Sequence, residues 1–220
     1  MKRLDSVVSP DGTTLPVRVV AARGATATLV LAPGAGSSMK HPSIVRLQEG
    51  IAAGGVTVAT FDFPYRVRGG GAPDRQPVLV GAYGAVVDAV RAVHPGRLFA
   101  GGRSMGGRMA SHLAAAGTAF DGLVFVSFPL HPPGKPGIER AAHLAALPMP
   151  MLFVQGTRDT FAREDLLAGV LKKLSRATLH AIPDADHGMH VPKRTGKTDA
   201  DVLTETIETI VEWIDRSGRK

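Results

Sequence analysis

The chain has 220 residues, a formal net charge of +7 and an isoelectric point of about 10.1. Hydrophobic residues make up 44% and charged residues 20%, values of a globular domain rather than a disordered segment. There is no cysteine, which excludes disulfides, thiolate metal sites and a cysteine nucleophile. No apolar run is long enough to span a bilayer, and the N-terminal MKRLDSVVSP lacks the apolar stretch of a secretory signal, so no membrane insertion and a cytoplasmic location are expected. The basic residues are scattered and aromatics are only 5%, so no nucleic-acid partner is expected either. Nothing in the sequence sets an oligomeric state.

The predicted elements alternate along the chain. Residues 4–8 and 15–21 read as an antiparallel hairpin around the turn Pro10-Asp11-Gly12. Residues 28–32 form the next strand. Ile44, Leu47 and Ile51 then recur at helical spacing until Gly54-Gly55, and residues 56–61 are again a strand. Pro77 opens a helix carrying Leu79, Tyr83, Val86, Val90 and Val93 on one stripe. A short apolar strand at 97–101 precedes a helix over 105–116. Residues 123–127 and 151–155 are nearly continuous apolar runs, the pattern of parallel strands covered on both faces. A helix over 164–174, a strand over 178–182 and a last helix complete the order. That helix opens at the capping pair Thr198 and Asp201 and carries Leu203, Ile207, Ile210 and Ile214. Repeated β-α units after a hairpin predict one domain, residues 1–220, built on a mostly parallel, doubly wound sheet of about eight strands. The irregular stretches 63–76 and 128–148 are longer than usual connections, yet too short for a separate cap domain.

Between the strand at 97–101 and the helix that follows lies Gly102-Arg103-Ser104-Met105-Gly106, a G-x-S-x-G pentapeptide. A serine on a tight strand-to-helix turn is a nucleophile elbow. The turn crosses neighbouring backbone so closely that side chains at Gly102, Gly106 and Gly107 would collide. A serine hydroxyl needs a base, and the base needs an acid that fixes its tautomer. Asp159, just past the strand at 151–155, and His187, just past the strand at 178–182, supply the order Ser, Asp, His at strand ends. His190 is the rival base. The remaining histidines read as surface or packing residues, and His187-x-x-His190 lacks a third ligand for zinc. Candidate oxyanion donors are the backbone amides of Met105 and of Ala35, in the Gly-rich loop 33–38, with Gly36 close behind. Gly36, Arg66 and Arg68 are candidate substrate contacts, the arginines through an anionic acyl group; the competing reading of the two arginines is a solvated loop face. Arg103 is expected to hold loops together through backbone carbonyls or a carboxylate rather than to touch substrate.

These residues resemble α/β-hydrolases, and more narrowly a small capless branch related to the hydrolase-like domain of a chromatin acetyltransferase complex subunit. The matching segments are Ala32-Pro-Gly-Ala-Gly with Met39-Lys-His-Pro, Phe61-Asp-Phe-Pro-Tyr, Gly101-Gly-Arg-Ser-Met-Gly-Gly-Arg-Met-Ala-Ser, Gln155-Gly-Thr-Arg-Asp and Ala185-Asp-His. Dienelactone hydrolases are more distantly similar and use cysteine. The resemblance implies Ser104 as nucleophile, Asp159 as acid and His187 as base, with no cofactor or metal. Pro33 stands where relatives often carry the His of a His-Gly pair, and it has no N–H to offer. The expected activity is hydrolysis of a small carboxylic ester or thioester. A non-catalytic interaction module and acyl transfer to an acceptor other than water are the competing readings.

Overall fold

The computed structural model describes residues 4–217. Eight strands form one sheet: β1 (Ser6–Val8), β2 (Thr14–Val20), β3 (Ala27–Ala32), β4 (Thr57–Phe61), β5 (Arg97–Arg103), β6 (Gly122–Val126), β7 (Met151–Gly156) and β8 (Ala177–Ile182). Their spatial order is β1-β2-β4-β3-β5-β6-β7-β8. The hairpin β1–β2 is antiparallel and β2 joins β4 antiparallel; all later neighbours are parallel. The helices are α1 (Pro42–Ala53), α2 (Pro64–Val67), α3 (Gln76–Val93), α4 (Met105–Ala115), α5 (Glu164–Leu171) and α6 (Asp199–Arg216).

Alternation along each buried strand divides the core into two layers. In β3, Val30 and Ala32 face the layer built with α3, α4 and α5, and Leu29 and Leu31 face the layer built with α1 and α6. In β5, Ala100 and Phe99 divide in the same way. Covering both faces explains why β3, β4, β6 and β7 are buried along their whole length and mostly apolar, without alternation. The edge strand β8 is the exception among the parallel strands, with Leu179 44% exposed.

Local signals set the helix ends. His41 caps α1 by accepting from the Ser43 amide, with Pro42 in the first turn. Thr198 and Asp201 form the reciprocal capping box of α6, the Asp201 amide donating to Thr198 Oγ1 at 3.2 Å and the Thr198 amide to Asp201 Oδ2 at 2.7 Å. The stripe of α6 is rotated from expectation: Val202, Thr206, Ile210 and Ile214 are buried, whereas Leu203 and Ile207 are half-buried. The first strand is shorter than expected, and α5 stops at Leu171 rather than 174. The irregular stretches hold α2 and a 3₁₀ segment, Glu139–Ala146, neither long enough to show a helical period in sequence.

Tyr83 of α3 reaches into the sheet beside the elbow. Its buried hydroxyl accepts from the Gly101 amide at 2.9 Å and faces the carbonyls of Val30 at 2.6 Å and Gly101 at 2.8 Å. This bond joins β3 and β5 immediately before the turn. Since β3, β5, β7 and β8 are parallel, the residues following their C-terminal ends gather at one edge of the sheet.

Candidate active site

Ser104 follows β5 directly and precedes α4, with φ 51° and ψ −115°. A left-handed φ on a non-glycine residue is strained and persists only where surroundings enforce it. Here the Ser104 amide donates to Val126 O at 2.9 Å and its carbonyl accepts from the Arg108 amide at 3.2 Å. The flanking glycines permit the crossing. A Cβ on Gly102 would lie 2.9 Å from Gly106 C, and one on Gly106 would lie 2.7 Å from Pro33 O and closer still to Ala32 O. A Cβ on Gly107 would lie 3.0 Å from Gly102 O.

Three side chains expected from the sequence meet at this edge. Ser104 Oγ lies 2.9 Å from His187 Nε2, and His187 Nδ1 lies 2.8 Å from Asp159 Oδ2. An ionised carboxylate only accepts, so Nδ1 carries the proton and Nε2 is free to accept from the serine hydroxyl. The Asp159 side chain is fully buried and the His187 side chain is 21% exposed. Asp159 also accepts from Gln155 Nε2 at 2.6 Å and from the Phe161 amide at 2.8 Å, while Gln155 Oε1 accepts from the Phe128 amide at 2.8 Å. These bonds orient the carboxylate before it touches the imidazole. The Phe161 ring stacks on His187 with centroids 4.2 Å apart. The roles of Gln155 and Phe161 were not visible in sequence, because each depends on how the loop after β7 turns back on itself.

The loop after β3 is pinned from two sides. The Gly36 amide donates to Tyr65 Oη at 3.0 Å, and the Met39 amide donates to Asp62 Oδ1 at 2.7 Å. Gly36 therefore has its amide engaged, whereas no acceptor for the amides of Ala35 or Met105 is found among the described residues. Both residues line, with Ser104, a cavity of about 320 Å³. Met105 stands at the N-terminus of α4, where the helix dipole favours negative charge.

Arg103 behaves as expected: Nη2 donates to His187 O at 3.1 Å, and Nη1 reaches Ser43 Oγ at 3.4 Å. Burial pulls its guanidinium below the usual value, and Asp186 and Asp159 push it back up. Arg66 and Arg68 are engaged within the protein itself. Arg68 pairs with Asp11 at 3.0 Å and Asp74 at 2.5 Å, and Arg66 donates to Gly70 O at 3.3 Å. Neither lines the cavity beside Ser104; its basic residues are Arg108 and Arg140, which the sequence reading had not singled out. His190 is bound to Asp199 at 3.0 Å and makes no contact with the serine. A second cavity of about 280 Å³, bordered by Ser43, Arg103 and Met189, does not include Ser104. Among the described residues no group of three or more His, Asp or Glu side chains is placed to hold a metal ion, and no helix is long and apolar enough to cross a membrane.

Comparison with known proteins agrees with this architecture. Residues 25–215 match the family described as alpha/beta hydrolase domain. A putative alpha/beta hydrolase from Agrobacterium tumefaciens superposes with a TM-score of 0.75 at 21% identity, covering 96% of this chain and 94% of that one. A lidless alpha/beta serine hydrolase from Xanthomonas campestris gives 0.72 at 21% identity, covering 94% and 93%. A dienelactone hydrolase from Anabaena variabilis gives 0.76 at 19% identity, covering 98% and 97%. At these identities the structures share the fold: an eight-stranded, mostly parallel sheet with an N-terminal antiparallel hairpin and no large cap. The narrower resemblance to a chromatin-complex subunit rests on the sequence motifs alone.

Proposed function

We propose that this chain, which belongs to the alpha/beta hydrolase domain family, is a serine hydrolase that cleaves small carboxylic esters or thioesters through an acyl-enzyme on Ser104. The observation that carries the reading is the continuous hydrogen-bonded relay from Ser104 Oγ through His187 to Asp159, at 2.9 and 2.8 Å, on a strained elbow. A structural serine needs neither the strain nor the relay.

In this reading Ser104 Oγ attacks the carbonyl carbon while its proton passes to His187 Nε2. The carbonyl oxygen becomes an oxyanion facing the Met105 and Ala35 amides, which have no other acceptor among the described residues. Collapse breaks the bond to the leaving alkoxide or thiolate, which takes the proton from Nε2. A water then gives its proton to Nε2, attacks the acyl carbon, and collapse of the second oxyanion returns the proton to Ser104. Asp159 remains ionised and stabilises the imidazolium that forms twice in the cycle. The reading is supported by esterase neighbours of the same fold, including one from Butyrivibrio proteoclasticus whose structure contains ferulic acid.

A fluorophosphonate probe and 4-nitrophenyl esters of graded acyl length test it. Wild-type protein should be labelled at Ser104 and turn over short esters, and Ser104→Ala should lose both. Folded wild-type protein that takes no label and cleaves no ester would instead be an interaction module that keeps the fold without the chemistry.

A further inference from the structure

The cavity beside Ser104 contains two arginines that pair with no carboxylate. Arg108 lies on α4 one turn beyond the serine, its amide donating to Ser104 O. Four residues of helix advance roughly 6 Å, and helical side chains lean toward the N-terminus, so Arg108 leans back toward the elbow. Arg140, from the 3₁₀ segment Glu139–Ala146, lines the same cavity. Neither makes an ion pair among the described residues, and Arg108 Nε is buried without a partner. Among the described residues the one carboxylate on the cavity wall is Asp74, whose Oδ1 is held by Arg68 while its Oδ2 is buried without a hydrogen-bond partner; neither oxygen pairs with Arg108 or Arg140. Next to Arg108, His112 and His143 stack with centroids 4.0 Å apart and add no negative charge.

Two like charges, partly withdrawn from water and without a counterion, are unfavourable. Burial and the nearby Arg140 hold the Arg108 guanidinium down at about 10, which shows the cost of its charge in this setting. Burial lowers Arg140 as well. The chain carries thirteen aspartates and six glutamates, yet among the described residues only Asp74 lines this cavity, and it forms no ion pair with either arginine. A planar anion entering the cavity would remove the repulsion and satisfy the unpartnered donor, because guanidinium forks match carboxylate geometry.

We propose that Arg108 and Arg140 bind a carboxylate of the substrate, so that the ester or thioester cleaved at Ser104 is anionic. This rests on the proposed hydrolase reading and narrows it. The carboxylate can sit on the acyl side, as in a half-ester of succinate or glutarate, or on the leaving group. Both present the same chemistry to the arginines, and a short spacer fits the single turn between Ser104 and Arg108.

Two matched pairs separate these sources. Mono-4-nitrophenyl glutarate against 4-nitrophenyl butyrate probes the acyl side; 4-acetoxybenzoate against phenyl acetate probes the leaving group. In one pair the wild type should prefer the anionic ester in kcat/KM. Arg108→Gln and Arg140→Gln should each reduce that preference about ten- to a hundred-fold, the range for a charge-assisted hydrogen bond, and Arg108→Lys should restore part of it. Calorimetric titration of Ser104→Ala protein with monomethyl glutarate measures the site without turnover. Binding should weaken at least about tenfold when Arg108→Gln is added. Thermal melting accompanies each variant, and removing one of two repelling charges should leave Tm unchanged or raise it. Absence of preference in both pairs, or a preference that survives both arginine substitutions, overturns the proposal. Fluorophosphonate labelling and turnover of the neutral esters report on the hydrolase reading separately: a labelled enzyme that cleaves neutral and anionic esters equally well refutes the anion site and leaves the hydrolase standing.

Discussion

Gly106→Ala puts the elbow under direct test, because two effects of opposite sign meet there. Gly106 lies in the first turn of α4, where alanine is favoured over glycine by at most the roughly 1 kcal/mol of a helix interior. Against this, the added Cβ would lie 2.7 Å from both Ala32 C and Pro33 O, where ordinary contact begins at 3.4 Å. The neighbours are backbone atoms at the end of a central strand and cannot rotate away. They must retreat by at least about 0.7 Å, and overpacking of this kind costs about 1–3 kcal/mol. The steric term wins, and net destabilisation of about 1–2 kcal/mol should lower Tm by roughly 2–8 °C in a chain of this size. The same retreat moves Pro33 and the Ala35 amide behind it. Displacement approaching 1 Å at a group that meets the transition state costs about a hundred-fold. Thermal melting and kcat/KM on a short 4-nitrophenyl ester measure the two consequences. Gly169→Ala is the control: this exposed residue of α5 has no atom within 4 Å of an added Cβ. It should stabilise by about 0.4–1 kcal/mol with activity unchanged. A Gly106→Ala protein as stable and as active as wild type would refute the close-crossing account.

The remaining expectations concern other parts of the same machinery. Asp159→Asn keeps the shape but lets the imidazole adopt the wrong tautomer, so kcat on the same ester should fall roughly 10⁴-fold while circular dichroism stays that of wild type. Tyr83→Phe strips the Gly101 amide of its buried acceptor and should cost about 1–3 kcal/mol in urea unfolding. His143 is held down at about 4, against an ordinary 6.5, by burial and then by the charges of His112 and Arg108. The unfolded chain therefore binds the extra proton first as pH falls. Stability is complete above pH 6.5 and declines toward pH 4. The full shift corresponds to roughly 3 kcal/mol, reduced to about 1–2 kcal/mol because the half-buried ring is screened by water. His143→Gln should flatten the Tm profile between pH 6.5 and 4; a profile as steep as wild type would remove His143 as its source.

Much of the architecture was legible before any coordinate. Strand and helix periods are local properties, and the apolar runs of β3, β6 and β7 could lie only in a sheet covered on both sides. The elbow was readable because its glycines answer a steric demand confined to a few residues. The chain order of Ser104, Asp159 and His187 indicated which side chains would meet, since parallel strands bring their C-terminal ends to one edge. Other features left no local trace. The 3₁₀ segment Glu139–Ala146 is too short and irregular to show a period. The face of α6 was legible only in part: Ile210 and Ile214 are buried as expected and Ile207 packs over Gly50 of α1, but Val202 and Thr206 take the buried positions beside them while Leu203 and Ile207 stay half-buried.

The arginines mark the boundary most clearly. Read along the chain, Arg66 and Arg68 were candidate anion contacts, in a loop expected to open near the site, with a solvated loop face as the competing reading. Folding instead closes Arg68 onto Asp11, 57 residues away, and gathers Arg108 and Arg140 beside the serine from segments 32 residues apart. Hydrophobic period, turn chemistry and strand order depend on neighbours in sequence, and they determined the sheet, the elbow and the residues at its edge. Which charges find partners and which are left facing the cavity depends on contacts between distant segments, and those only the tertiary structure decided.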